Sequence, residues 1–108
     1  MENKLFLKQK PTLKDFQEYL GKALCIRGFE QETAAELVLL FLGEAGEMAK
    51  AVRKTTGIKA SAHSQEQHLD EEVADVFIYL LEICNHFDID LETAFRKKEE
   101  KNKTRTWK

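Results

Sequence analysis

Residues 37–49 read LVLLFLGEAGEMA, an apolar run from Leu37 to Leu42 that passes directly into Gly43-Glu44-Ala45-Gly46-Glu47. A helix through Leu37–Leu42 is apolar on every face, which places it deep in a bundle or in a contact between subunits. Glu44 and Glu47 are three residues apart and project from the same helix face. A helix-interior glycine costs about 1 kcal/mol against alanine, so Gly43 and Gly46 point to close packing or the approach of a ligand. Residues 69–81, LDEEVADVFIYLL, repeat the device: Glu72 and Asp75 stand at i and i+3, just ahead of another apolar run.

The flanking punctuation is helical throughout. Pro11 precedes Thr12-Leu13-Lys14-Asp15, an N-cap hydroxyl with an acidic first turn. Leu13, Phe16, Tyr19, Leu20, Ala23 and Leu24 then recur at helical spacing, and Gly28 marks a C-cap. A second helix is expected from about Gln31 to Thr55, a polar loop over 56–64, and a third helix from about Gln65 to His86. Asp88-Ile89-Asp90 reads as a turn, with Asp90 able to cap a fourth helix from Leu91 to roughly Lys101. No segment shows the period-two alternation of a strand. The expectation is a single all-α domain over residues 1–108, built as a four-helix bundle, with a basic tail from about residue 102.

The composition, 43% hydrophobic and 33% charged over 108 residues, suits one globular domain. No apolar stretch approaches a membrane span, and MENKLFLKQK lacks the core of a secretory signal. Cys25 and Cys84 lie in apolar segments without metal-type spacing and read as reduced core residues of a cytoplasmic protein. The net charge of −2 conceals an acidic body and a basic end running from Arg96 to Lys108. An acidic body repels a phosphate backbone, so neither nucleic acid nor membrane is an expected partner.

Pairs such as Glu44/Glu47 or Glu72/Asp75 are common on solvated helix faces. Here both sit on apolar helices joined by a loop that lets them run antiparallel. Four carboxylates brought together repel one another unless protonated or neutralised by a cation. Oxygen ligands without a His or Cys set favour Mg²⁺, with Mn²⁺ as a substitute, over zinc or copper. Lys98 and Asn102, at i and i+4, with Arg105 three further on, present ammonium, amide and guanidinium groups suited to a polyphosphate or to a solvated helix end. Lys54 shares a face with Glu47 and adds a further basic group.

This combination resembles the MazG-like nucleotide pyrophosphohydrolases, an all-α superfamily whose pattern is ExxE, a gap, ExxD, then KxxxN with a nearby arginine. Here these are Glu44/Glu47, Glu72/Asp75 and Lys98/Asn102/Arg105, with GEAGEMAKAVRK, DEEVADVFIYLLEI and the early RGF at 27–29 also similar. In its motif strings the chain is nearest the deoxycytidine-triphosphate branch. The resemblance implies Mg²⁺-dependent cleavage of a (d)NTP to (d)NMP and pyrophosphate, in nucleotide-pool housekeeping. It implies metal ligation by Glu44, Glu47, Glu72 and Asp75, with Glu47 or Glu44 as general base. Lys54, Lys98, Asn102 and Arg105 would contact the substrate, in a homodimer or a homotetramer built from dimers. The base is left open, because Arg53-Lys54 stands where that branch commonly places an aromatic. A non-catalytic nucleotide-binding regulator or helical interaction module is the alternative.

Overall fold

Two capping boxes set where the first two helices begin. In a computed structural model describing residues 5–29, 31–57 and 68–106, α1 spans Leu13–Arg27 and α2 spans Ala34–Thr56. At the start of α1 the Thr12 hydroxyl accepts from the Asp15 N–H at 3.1 Å, and the Asp15 carboxylate accepts from the Thr12 N–H at 2.8 Å. Thr33 and Glu36 do the same ahead of α2, at 3.1 and 2.9 Å. Each box satisfies two backbone donors that the first turn leaves open. The hydrogen bonds to Thr12 and Thr33 hold Asp15 and Glu36 below the ordinary carboxylate range. The second box moves the start of α2 from the expected Gln31 to Ala34. Thr33→Ala is expected to lower stability by about 1 kcal/mol at neutral pH, read by urea unfolding. Glu36 is held low, so its share of the box is present at neutral pH and lost as pH falls through its folded pKa.

Both helices end on a glycine in the left-handed region, Gly28 at φ 79° and Gly57 at φ 78°, where a Cβ is penalised. After α1 the Phe29 N–H reaches back to the Leu24 carbonyl at 2.9 Å, the long bond of a Schellman ending. α3, Leu69–His86, closes the same way with the Ile89 N–H on the Cys84 carbonyl at 2.8 Å. There the left-handed position falls to Asp88, φ 54°, an aspartate being among the few side chains that tolerate it. α4 spans Leu91–Thr104, three residues beyond the expected end. The expected start of α3 at Gln65 and most of the 56–64 loop lie outside the described residues.

The described residues form four helices and no strand, so the fold is all-α. They divide into two compact units, Met1–Gln31 with Cys84–Lys108, and Glu32–Ile83. In the first, α1 packs against α4 and buries Gln17, Leu20 and Ala23. Gln17 is its polar joint. Its Nε2 donates to Asn85 Oδ1 at 3.0 Å and to the Ile89 carbonyl at 2.8 Å, and its Oε1 accepts the Leu91 N–H at 3.0 Å. Asn85 returns a bond from Nδ2 to the Gln17 carbonyl at 3.0 Å. Asp90 therefore stands at the N-cap position of α4 without capping it: its carboxylate accepts from the Thr93 hydroxyl, and Gln17 takes the first helical N–H. Cys84 is buried as expected, whereas Cys25 is exposed.

In the second unit, α2 and the body of α3 bury Leu37, Ala51, Leu81 and Glu82. The apolar run of α2 is only partly covered: Val38, Leu40 and Leu42 are exposed, and Leu39 keeps 69% of its surface. A Cβ at Gly43 or Gly46 would meet nothing within 4 Å. Close packing among the described residues therefore does not account for these two glycines. No helix among the described residues is long and apolar enough to cross a membrane.

Candidate metal centre

Glu44 lies mid-helix on α2, and Glu72 and Asp75 lie in the first two turns of α3. The first turn of α3 carries Asp70, Glu71 and Glu72, where the partial positive charge of a helix N-terminus favours carboxylates. That local preference explains why acids collect there, and the i, i+3 spacing turns Glu72 and Asp75 to one face. One carboxylate oxygen from each of Glu44, Glu72 and Asp75 lies within 4.8 Å of the others, all three side chains being half-buried. All three belong to the same compact unit.

The electrostatics agree with the geometry. Burial pushes the Glu44 carboxyl above its usual range, and the charges of Asp75, Glu72 and Glu47 push it further the same way. A carboxylate raised by its neighbours' charges is relieved by a cation placed among them. The donor set is oxygen only, with exposed His68 outside it, which fits a hard divalent cation. Glu47 is exposed and stands outside the three-carboxylate group, while its charge still acts on Glu44.

The nitrogen-bearing candidates are divided between the units. Lys54, half-buried in the last turn of α2, shares a unit with the carboxylates. Lys98 is exposed on α4, Asn102 is half-buried near its end, and Arg105 is exposed at its C-cap, where its N–H donates to the Asn102 carbonyl at 3.2 Å. These three belong to the other unit.

Two residues of the carboxylate wall escape a reading of the sequence by motifs. Tyr79 follows Asp75 by one turn; burial raises its phenol, as do the charges of Glu82, Glu32, Glu44 and Asp75, so it remains a protonated donor. Glu82 sits one turn further, within an otherwise apolar Ile78–Cys84 string, with 6% of its surface exposed. The usable signal was periodicity: positions 72, 75, 79 and 82 fall on one stripe of α3.

The chain is 30% identical over 101 residues to dCTP pyrophosphatase 1 of Rattus norvegicus, covering 89% of this chain and 59% of that protein. The Homo sapiens protein of the same name gives the same identity and coverage, and that of Bos taurus is 29% identical over 60% of its length. The chain thus spans about three-fifths of the length of these curated relatives. Residues 32–108, which include both acidic pairs and the whole of α4, match the MazG nucleotide pyrophosphohydrolase domain. With that match over most of its length, and carboxylates of the ExxE and ExxD elements drawn together on α2 and α3, the chain belongs to the MazG nucleotide pyrophosphohydrolase family.

Proposed function

We propose that this chain hydrolyses nucleoside triphosphates between the α and β phosphates, releasing the monophosphate and pyrophosphate. The observation that carries this reading is the meeting of Glu44, Glu72 and Asp75 from two helices of a MazG chain. These residues, with Glu47 beside them, hold a divalent cation, for which Mg²⁺ is the first choice and Mn²⁺ a substitute. When bound, such a cation neutralises phosphate charge and lowers the pKa of a coordinated water.

The protein's own groups do the rest. Glu47, exposed and outside the three-carboxylate group, takes the proton of the attacking water; Glu44 is the second candidate for that role. The water oxygen joins the α phosphorus, the bond to the bridging oxygen breaks, and pyrophosphate leaves. Tyr79, kept protonated, offers a hydrogen bond from the same wall. Lys54, Lys98, Asn102 and Arg105 contact phosphate or sugar, countering charge that develops on the phosphate oxygens. The similarity to proteins named dCTP pyrophosphatase 1 makes dCTP the first substrate to try. The chain works as a homodimer or a dimer of dimers, supported by exposed Val38, Leu39 and Leu42 on α2. Its role in this reading is cytoplasmic nucleotide-pool housekeeping.

The test is pyrophosphate release from a panel of NTPs and dNTPs, with Mg²⁺ and with EDTA. Metal-dependent release with dCTP among the faster substrates is expected. No release from any triphosphate would overturn the enzyme and leave a regulator or an interaction module.

A further inference from the structure

Residues 5–11 lie ahead of α1, and the chain bends at Gln9 and Lys10 so that this segment returns along the helix. Leu5 to Lys8 line a cavity of about 300 Å³ against Asp15, Tyr19 and Lys22 of α1. Leu5 and Leu7 are half-buried and Phe6 between them keeps 79% of its surface exposed, the alternation of an extended segment with one side covered. A cavity of that size under the segment is far from the close packing of a protein interior, so dispersion holds it weakly. Among the described residues its polar tie to α1 is an ion pair, with Lys8 Nζ 3.2 Å from Asp15 Oδ2. The same oxygen accepts the Thr12 N–H at 2.8 Å, and the Thr12 hydroxyl accepts the Asp15 N–H at 3.1 Å. Asp15 therefore keeps its place in the capping box when Lys8 leaves. Lys10 has φ 52°, a left-handed value that is costly for a residue with a Cβ and further disfavoured ahead of Pro11.

We propose that residues 5–11 are a releasable strap on α1, clasped by Lys8 on Asp15 and strained at Lys10, which opens without unwinding the helix and uncovers its Tyr19–Lys22 turn. The clasp is the salt-sensitive part. Both side chains reach water, with 56% of Lys8 and 26% of Asp15 exposed, and such pairs are screened as ionic strength rises. Partial burial of Leu5 and Leu7 favours the closed strap whatever the salt concentration, because apolar burial carries no charge to screen. Relief of the left-handed backbone at Lys10 favours the open one. With these two opposed, a weak ion pair sets the balance.

The strap belongs to one compact unit and the carboxylate group to the other, and its test needs no turnover. The full-length protein, ¹³C-labelled at leucine methyls, is followed by NMR at low salt and at about 1 M NaCl, where charges are screened beyond about 3 Å. At low salt the Leu5 and Leu7 methyls are expected to show cross-peaks to the Tyr19 ring and shifts displaced from coil values. High salt should raise the open-to-closed ratio by about 1.5-fold to fivefold, moving both methyls toward coil values while buried Leu20 stays in place. Lys8→Gln should be open to the same degree at low salt and lose the salt response, and Lys8→Arg should restore it. Lys10→Gly should move the balance toward the closed strap, since glycine takes the left-handed turn without a Cβ. Coil-like Leu5 and Leu7 at low salt would overturn the strap. So would docked shifts that neither salt nor Lys8→Gln alters, which would leave apolar contact as the whole tie. Movement of Leu20 together with Leu7 would overturn it as well, because α1 would then unwind with the segment.

Discussion

Asp75→Asn is expected to cut metal-dependent pyrophosphate release by about 10²–10⁴-fold, the scale for deleting a group that acts on developing charge or proton transfer. The fold should survive. Asp75 belongs to a group of like charges in which one oxygen of each carboxylate lies within 4.8 Å of the others, so replacing it with a neutral isostere relieves repulsion in the cation-free protein. Its thermal midpoint in EDTA should hold or rise. Glu44→Gln should behave alike and add a pH signature. The Glu44 carboxyl is held above its usual range by burial and by Asp75, Glu72 and Glu47, so it destabilises the cation-free fold as pH rises through its folded pKa. Removing it should flatten that decline. Mg²⁺ at a hundred times its dissociation constant should stabilise the unsubstituted protein by about 2.7 kcal/mol, and the variants much less. Unfolding of both variants with no change in their response to Mg²⁺ would instead assign these carboxylates a structural role.

The largest loss of stability is expected at Gln17. Its amide makes three bonds, to Asn85, to the Ile89 carbonyl and to the Leu91 N–H, and so ties α1 to the end of α3 and the start of α4. Gln17→Ala removes every one of these partners together. Leaving buried polar groups unpaired costs about 1–3 kcal/mol each, and partial access to water at these sites puts the total at about 2–4 kcal/mol. For a domain of this size that lowers the melting temperature by about 10–20 °C. Gln17→Glu separates the components: its carboxylate still accepts from Leu91 but, once ionised, faces Asn85 Oδ1 and the Ile89 carbonyl with no donor. That variant should be more stable in acid than at neutral pH, as read by thermal unfolding. Equal melting temperatures for Gln17→Ala and the unsubstituted protein would show that packing alone holds this unit together.

The punctuation of this chain was legible where a single residue type decides the backbone. Gly28 and Gly57 occupy left-handed positions that end helices, and Thr12 with Asp15 forms a complete capping box. The start of α2 was misplaced because Gln31 continues a helical pattern, whereas the hydroxyl of Thr33 and the carboxylate of Glu36 close a box that excludes it. Asp90 has the right type and place for a cap, but a competing acceptor reaches Leu91 first: Gln17, which is 74 residues away in the chain. Cys25 sits in an apolar string and is nonetheless exposed, since periodicity assigns a face without saying whether anything covers it.

What the sequence by itself determined is what short-range physics controls: four helices, the glycine endings of the first two, and two acidic pairs each facing one way at a three-residue spacing. Helical periodicity is a property of the backbone, and a motif read along it needs no partner. The tertiary structure decided which carboxylates converge. It joins Glu44 with Glu72 and Asp75, leaves Glu47 exposed outside that group, and buries Glu82 in an otherwise apolar string. Such outcomes depend on the rotation of one helix about its axis against another. No residue spacing within a single helix encodes that angle, because it is set by packing between segments far apart in the chain.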